Sequence, residues 1–98
     1  MDDAKTHKQI QDHADAVARG DMDTAIGDFS EELRPQVPEI AKELPLPVKT
    51  AEVLSVDVGA EQSVARIKYT GDGGSVTIET QWRDIGGRPT IVAGKPVG

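Results

Sequence analysis

The apolar pattern of this chain changes period once, at Pro45-Leu46-Pro47. Before that tripeptide, apolar residues recur at the three- and four-residue spacing of a helix; after it they alternate as in a strand. Prolines this close together stop a helix and forbid its continuation, so the two patterns belong to separate elements. Helices first and strands second predict an α+β domain, with N-terminal helices packed on one face of an antiparallel sheet. The 98 residues contain no repeat, low-complexity tract or linker, and are read as a single domain spanning 1–98.

In the first half, Ile10, His13, Ala14 and Val17 share one face of a helix predicted over 4–18. Gly20 supplies a stop, and Asp21 a cap for a second helix over 22–33 with the stripe Met22, Ala25, Ile26, Phe29 and Leu33. Gly27 interrupts that stripe at a cost of about 1 kcal/mol relative to alanine. A short third helix is expected over about 38–44, with Pro38 near its first position. The sheet is expected to begin near Val48 and to hold four strands. Alternation assigns Glu52, Leu54, Val56 and Val58 to the inner face of the first strand, and Ala65, Ile67 and Tyr69 to that of the second. Val76, Ile78, Thr80 and Trp82 take the same face on the third, and Thr90–Ala93 form the last. The outer face is left with Arg66, Lys68, Glu79 and Arg83, and with Val53 and Val64 among them. Short glycine-bearing turns make consecutive strands antiparallel neighbours, a meander.

Charge narrows the partners. Residues 1–47 carry eleven acids and five bases, a net −6, whereas residues 48–98 carry six of each. No basic stripe exists to track a phosphate backbone, which argues against nucleic acid and against anionic membrane surfaces. No segment approaches the ~20 apolar residues of a membrane span. Met1-Asp2-Asp3 opens the chain without an apolar leader and there is no cysteine, so a soluble cytoplasmic protein without disulfide or thiolate chemistry is expected.

Few residues suggest chemistry. His13 lies on the apolar stripe between Ile10 and Val17, where it is either a general base facing the sheet or a boundary residue with one nitrogen wet. Glu52 is a candidate acid if it faces a pocket, and a rim residue otherwise; Tyr69 is the third weak catalytic candidate. His13, Phe29, Tyr69, Thr80 and Trp82 are the candidate ligand-binding set, with core packing as the competing role for Trp82. His7 and His13 are six apart and face different ways. The aspartates Asp2, Asp3, Asp12, Asp15, Asp21, Asp23 and Asp28 lack the loop and glycine placement of a calcium site, and read as a solvated, cap-rich helical face. No metal or cofactor is therefore expected. Gly71-Asp72-Gly73-Gly74 precedes a strand rather than a helix and is read as a turn.

Two segments bring a family to mind. Ala18-Arg19-Gly20-Asp21-Met22-Asp23-Thr24-Ala25-Ile26-Gly27-Asp28-Phe29, after a first helix, resembles the opening of the nuclear transport factor 2-like superfamily. Gln81-Trp82-Arg83-Asp84-Ile85-Gly86-Gly87-Arg88-Pro89-Thr90-Ile91 is similar to the final hairpin of its polyketide-cyclase-like members. The resemblance implies a curved, cone-shaped sheet of the cystatin-like kind, a homodimer formed through the sheet, and a pocket for a small apolar ligand between helices and sheet. It implies no one activity, since the superfamily includes isomerases, cyclases, hydrolases, dehydratases and transport adaptors. Two functions follow as expectations: a non-catalytic ligand-binding or interaction domain, or a small isomerase- or cyclase-like enzyme with its acid–base residues in an apolar pocket.

Overall fold

The computed structural model describes residues 1–97. Three helices, α1 (Asp3–Ala18), α2 (Met22–Gly27) and α3 (Val37–Ala41), precede four strands, β1 (Val48–Val58), β2 (Gln62–Gly71), β3 (Gly74–Ile85) and β4 (Arg88–Val97). The strands lie in the order β1-β2-β3-β4, each antiparallel to the next, so the sheet is an open meander as the short turns predict. The helices cover one face of it.

α1 follows its periodicity. Asp2 caps it by accepting from the Lys5 amide at 2.7 Å, and Thr6, Ile10, His13, Ala14 and Val17 turn inward. Gly20, at φ 77°, reverses the chain into the Asp21 cap of α2, where the left-handed backbone favours glycine. Asp21 accepts from the Thr24 hydroxyl at 2.7 Å and from its amide at 3.2 Å; these bonds and the adjacent Arg19 hold the Asp21 carboxyl below its ordinary pKa.

The second helix departs from expectation. It ends at Gly27, not residue 33, and Phe29 lies in a short parallel bridge to Ile91 on the edge of β4. Two opposing demands are met there. Gly27 weakens helix propagation, while the outward amide and carbonyl of Ile91 need partners: the Ile91 amide donates to Asp28 O and the Ser30 amide to Ile91 O, both at 2.8 Å. A 3-10 turn at 34–36 then leads into α3, which spans 37–41 rather than 38–44.

The inner face of the sheet follows alternation in β2 and β3. Ala65, Ile67, Tyr69, Ile78 and Trp82 are buried, with Ile10, Ala14, Val17 and Ile91 in the same core. In β1 the assignment is corrected. Val53 opposes Ile67 and Val56 opposes Ala65, so the register slips between Val53 and Ser55, leaving Leu54 as an extra residue, 49% exposed. Such a bulge inverts the phase of everything on one side of it. Ala51 and Val53 therefore face inward, whereas Glu52 points outward opposite Lys68. A further slip, between Gln81 and Trp82, makes Val92 the extra residue of β4 and brings Ile91 opposite Trp82.

The proline seam packs back on the sheet. A Cβ at Gly71 would overlap the Pro45 carbonyl oxygen and come within 2.8 Å of that of Pro47. Neither backbone oxygen can step aside as a side chain can. Gly71→Ala is expected to destabilise the fold by about 1–3 kcal/mol, the usual range for overpacking. A denaturant midpoint unchanged from wild type would contradict this close approach.

Candidate functional site

Between the helices and the inner sheet face lies a cavity of about 50 Å³ with walls that are mostly apolar. His13 from α1, Phe29, Tyr69 from β2 and Thr80 from β3 line it, as do Ile40 and Ala41 from α3. Trp82 does not. It is wholly buried beside the cavity, with its indole N–H donating to Thr80 Oγ1 at 2.8 Å, and Thr80 in turn donates to Ala65 O at 3.1 Å. Both polar groups are satisfied within the core; Thr80 still borders the cavity, whereas Trp82 packs behind its wall. Glu52 is on the far side of the sheet and cannot reach the cavity.

The most structured part of the site involves a residue that sequence reasoning assigned to a solvated face. The Asp28 side chain is only 2% exposed. Its Oδ2 meets His13 Nδ1 at 2.9 Å, and its Oδ1 accepts from Gln9 Nε2 at 2.7 Å and from Arg88 Nη2. Arg88 Nη1 also donates to the carbonyl oxygen of Gly27 at 2.8 Å, so one guanidinium holds both the end of α2 and the acid that follows it. A buried carboxylate needs this number of donors to offset its lost hydration. The premature end of α2 is what turns Asp28 inward. Gly27, already conspicuous inside an apolar stripe, was the one local signal of it.

Asp28 also orients the histidine. Because a carboxylate only accepts, His13 Nδ1 is the donor of this bond, and Nε2 is the ring nitrogen left for another partner. Among the described residues Nε2 has no hydrogen-bond partner. The ring packs edge-on against Trp82, with centroids 5.6 Å apart, and lies 5.9 Å from Phe29. Tyr69 is buried and lines the cavity. Burial raises the phenol's pKa well above its ordinary 10.0, because the anion would be desolvated. The cavity thus offers an apolar enclosure, one imidazole and one neutral phenol.

The shift of Tyr69 has a sign that can be checked. An unfolded tyrosine loses its proton near its ordinary value of 10.0, while the folded one holds it to higher pH. The stabilisation is therefore complete below pH 10.0 and is lost as pH rises further, through the folded pKa. Tyr69 is the one tyrosine. Tyrosinate absorbance should stay absent past the normal titration point and then appear together with unfolding. An independent, ordinary titration in the folded protein would contradict the burial.

Among the described residues no group of three or more His, Cys, Asp or Glu side chains is placed to hold a metal. No helix is long and apolar enough to cross a membrane. No family model matches the chain, and no curated protein matches it. Among solved structures it is similar to the solution structure of a SEC-C motif containing protein from Rhodopseudomonas palustris, at 21% identity and a TM-score of 0.61. The likeness covers 85% of this chain and 71% of the other; at that identity it is a likeness of fold.

Proposed function

We propose that this chain is a non-catalytic binding domain of the nuclear transport factor 2-like type, which holds a small apolar ligand between its helices and its sheet. The observation that carries the reading is the cavity wall: apolar nearly throughout, with the His13 imidazole and the Tyr69 phenol as convergent polar groups. At about 50 Å³ the cavity holds only a few heavy atoms as it stands, so a ring-sized ligand enters by displacing the half-buried α3 side chains over it. Cyclohexanol is a suitable first probe. Saturable NMR shifts confined to His13, Phe29, Tyr69 and the Trp82 indole are expected, along with a rise in thermal midpoint by ligand linkage. If cyclohexanol, phenol and indole all leave these resonances unmoved, the reading fails.

The His13–Asp28 pair favours a second reading, an isomerase- or cyclase-like enzyme. A base oriented by a buried acid is the arrangement that acid–base chemistry uses, with Nε2 to take a proton and Tyr69 to steady an oxygen. Incorporation of solvent deuterium next to the carbonyl of cyclohexanone, abolished in His13→Gln, would favour the enzyme. Binding without exchange favours the first reading.

The same reading assigns the uncovered outer face of the sheet to a second copy of the chain. There Glu79 lies between Arg66 at 3.2 Å and Lys95 at 3.6 Å in a cross-strand row, with Val64 nearby. Light scattering should report twice the 10.5 kDa chain mass, and Arg66→Glu should lower it. A monomer at high concentration overturns the dimer. The lack of cysteine and of a long apolar helix supports a cytoplasmic setting.

A further inference from the structure

The cavity has a neighbour. Also lined by Ile40, a cleft of about 190 Å³ opens between α3 and strands β3 and β4. Ile40, Ile78 and Gly94 line both spaces, so the two adjoin at these residues. Gly94 is the telling member. Its backbone is outside the left-handed region, and a Cβ there would meet Ile78 Cγ2 at 3.8 Å and Glu79 O and Thr80 Cγ2 at 3.9 Å, all ordinary contacts. Neither backbone conformation nor packing requires glycine. What its missing side chain does is leave space where cavity and cleft adjoin.

α3 borders both spaces through Ile40. It is five residues long and has no fully buried residue; Val37, Ile40 and Ala41 are half-buried against what lies beneath. At the outer mouth stand Glu39, Glu43, Gln36 and Lys95. Lys95 is paired with Glu79 at 3.6 Å and Glu39 with Lys42 at 3.2 Å, whereas Glu43 has no ion-pair partner among the described residues. Tyr69 lines the inner cavity.

Resting on the binding reading above, we infer that cavity and cleft are one site, which takes a linear alkylammonium with its chain threaded under α3 past Ile40 and Gly94 and its cationic head at Glu43. A helix with its side chains is about 10 Å across, so only an extended chain reaches from the inner cavity to the mouth. The sign of the head follows from the unpaired glutamate and from the −6 carried by residues 1–47, which together disfavour a carboxylate.

The experiment uses octylamine, octanol, octanoate and cyclohexanol as probes, with calorimetry for affinity and NMR for location. Octylammonium should bind at least roughly tenfold more tightly than octanoate, and Glu43→Gln should remove most of that preference while leaving octanol unchanged. Gly94→Val should weaken both octylammonium and octanol by roughly tenfold or more without lowering the thermal midpoint. Ile40→Ala, which widens the same passage, should tighten the octyl compounds and serves should Gly94→Val fold poorly. Unchanged octyl binding in both passage variants, or octanoate equal to octylammonium, overturns the inference. Cyclohexanol binding without any octyl binding overturns it too, yet leaves the binding reading standing. Failure of all four, with phenol and indole silent as well, ends both.

Discussion

Replacing Asp28 by alanine is expected to destabilise the protein by about 3–5 kcal/mol, the range found when one partner of a buried ion pair is removed. The loss exceeds that of a single hydrogen bond because three donors converge on this carboxylate. Without it, Gln9 and His13 lose their acceptor in the interior, and Arg88 keeps only the Gly27 carbonyl. Against a total stability of about 5–15 kcal/mol for a domain, the variant would lie close to its unfolding threshold. Asp28→Asn should be milder: the amide retains one accepting oxygen, but its nitrogen is then set against a donor. Chemical denaturation of the two variants beside wild type gives the measurement. A loss below about 1 kcal/mol for the alanine variant would mean that the carboxylate is not the hub described here.

Trp82→Ala should cost about as much, 3–5 kcal/mol by analogy with other large-to-small core changes. The indole is fully buried, opposes Ser63 on one side and Ile91 on the other, and packs edge-on against the His13 ring. Its removal leaves a cavity, and Thr80 Oγ1 loses its donor. Trp82→Phe separates the two effects, since it keeps most of the volume and deletes only the N–H; a loss of about 1–2 kcal/mol is expected. If the phenylalanine variant were as unstable as the alanine variant, the hydrogen bond to Thr80 would outweigh the packing.

The placement of Trp82 also shows how far the sequence could be read. Alternation put it on the inner face, which is where it is, but the same face provides both core and cavity wall. Nothing in a period of two distinguishes a side chain that fills space from one that borders it. Bulges pose a different problem. Val53, Leu54 and Val56 are all apolar, so the extra residue at Leu54 disturbs no visible pattern, and Glu52 was carried to the wrong face with it. In the second helix, Phe29 and Leu33 are apolar for a helical stripe and equally for a chain laid against β4; only Gly27 hinted at the break. Asp28 was the least legible. The side chains that make it a buried hub, Gln9, His13 and Arg88, come from 15 to 60 residues away, and no local period encodes their convergence. The seam at Pro45-Leu46-Pro47, the inward face of the first helix and the meander were legible because each depends on neighbours in the chain.

The reach of Arg88 has a consequence for the order in which the molecule assembles. Its guanidinium closes a loop of 60 residues onto Asp28, whereas the hairpins of the sheet join strands that adjoin in sequence. Short loops close at less entropic cost than long ones, so the meander can form while the acid at the end of α2 is still hydrated. Gln9 and His13 can reach the carboxylate from the first helix, but its third donor, Arg88, arrives only with the final hairpin. The hub then belongs to the last stage of folding, and its loss should register in the rate at which the native state opens: Asp28→Ala should unfold faster while folding at nearly the rate of wild type.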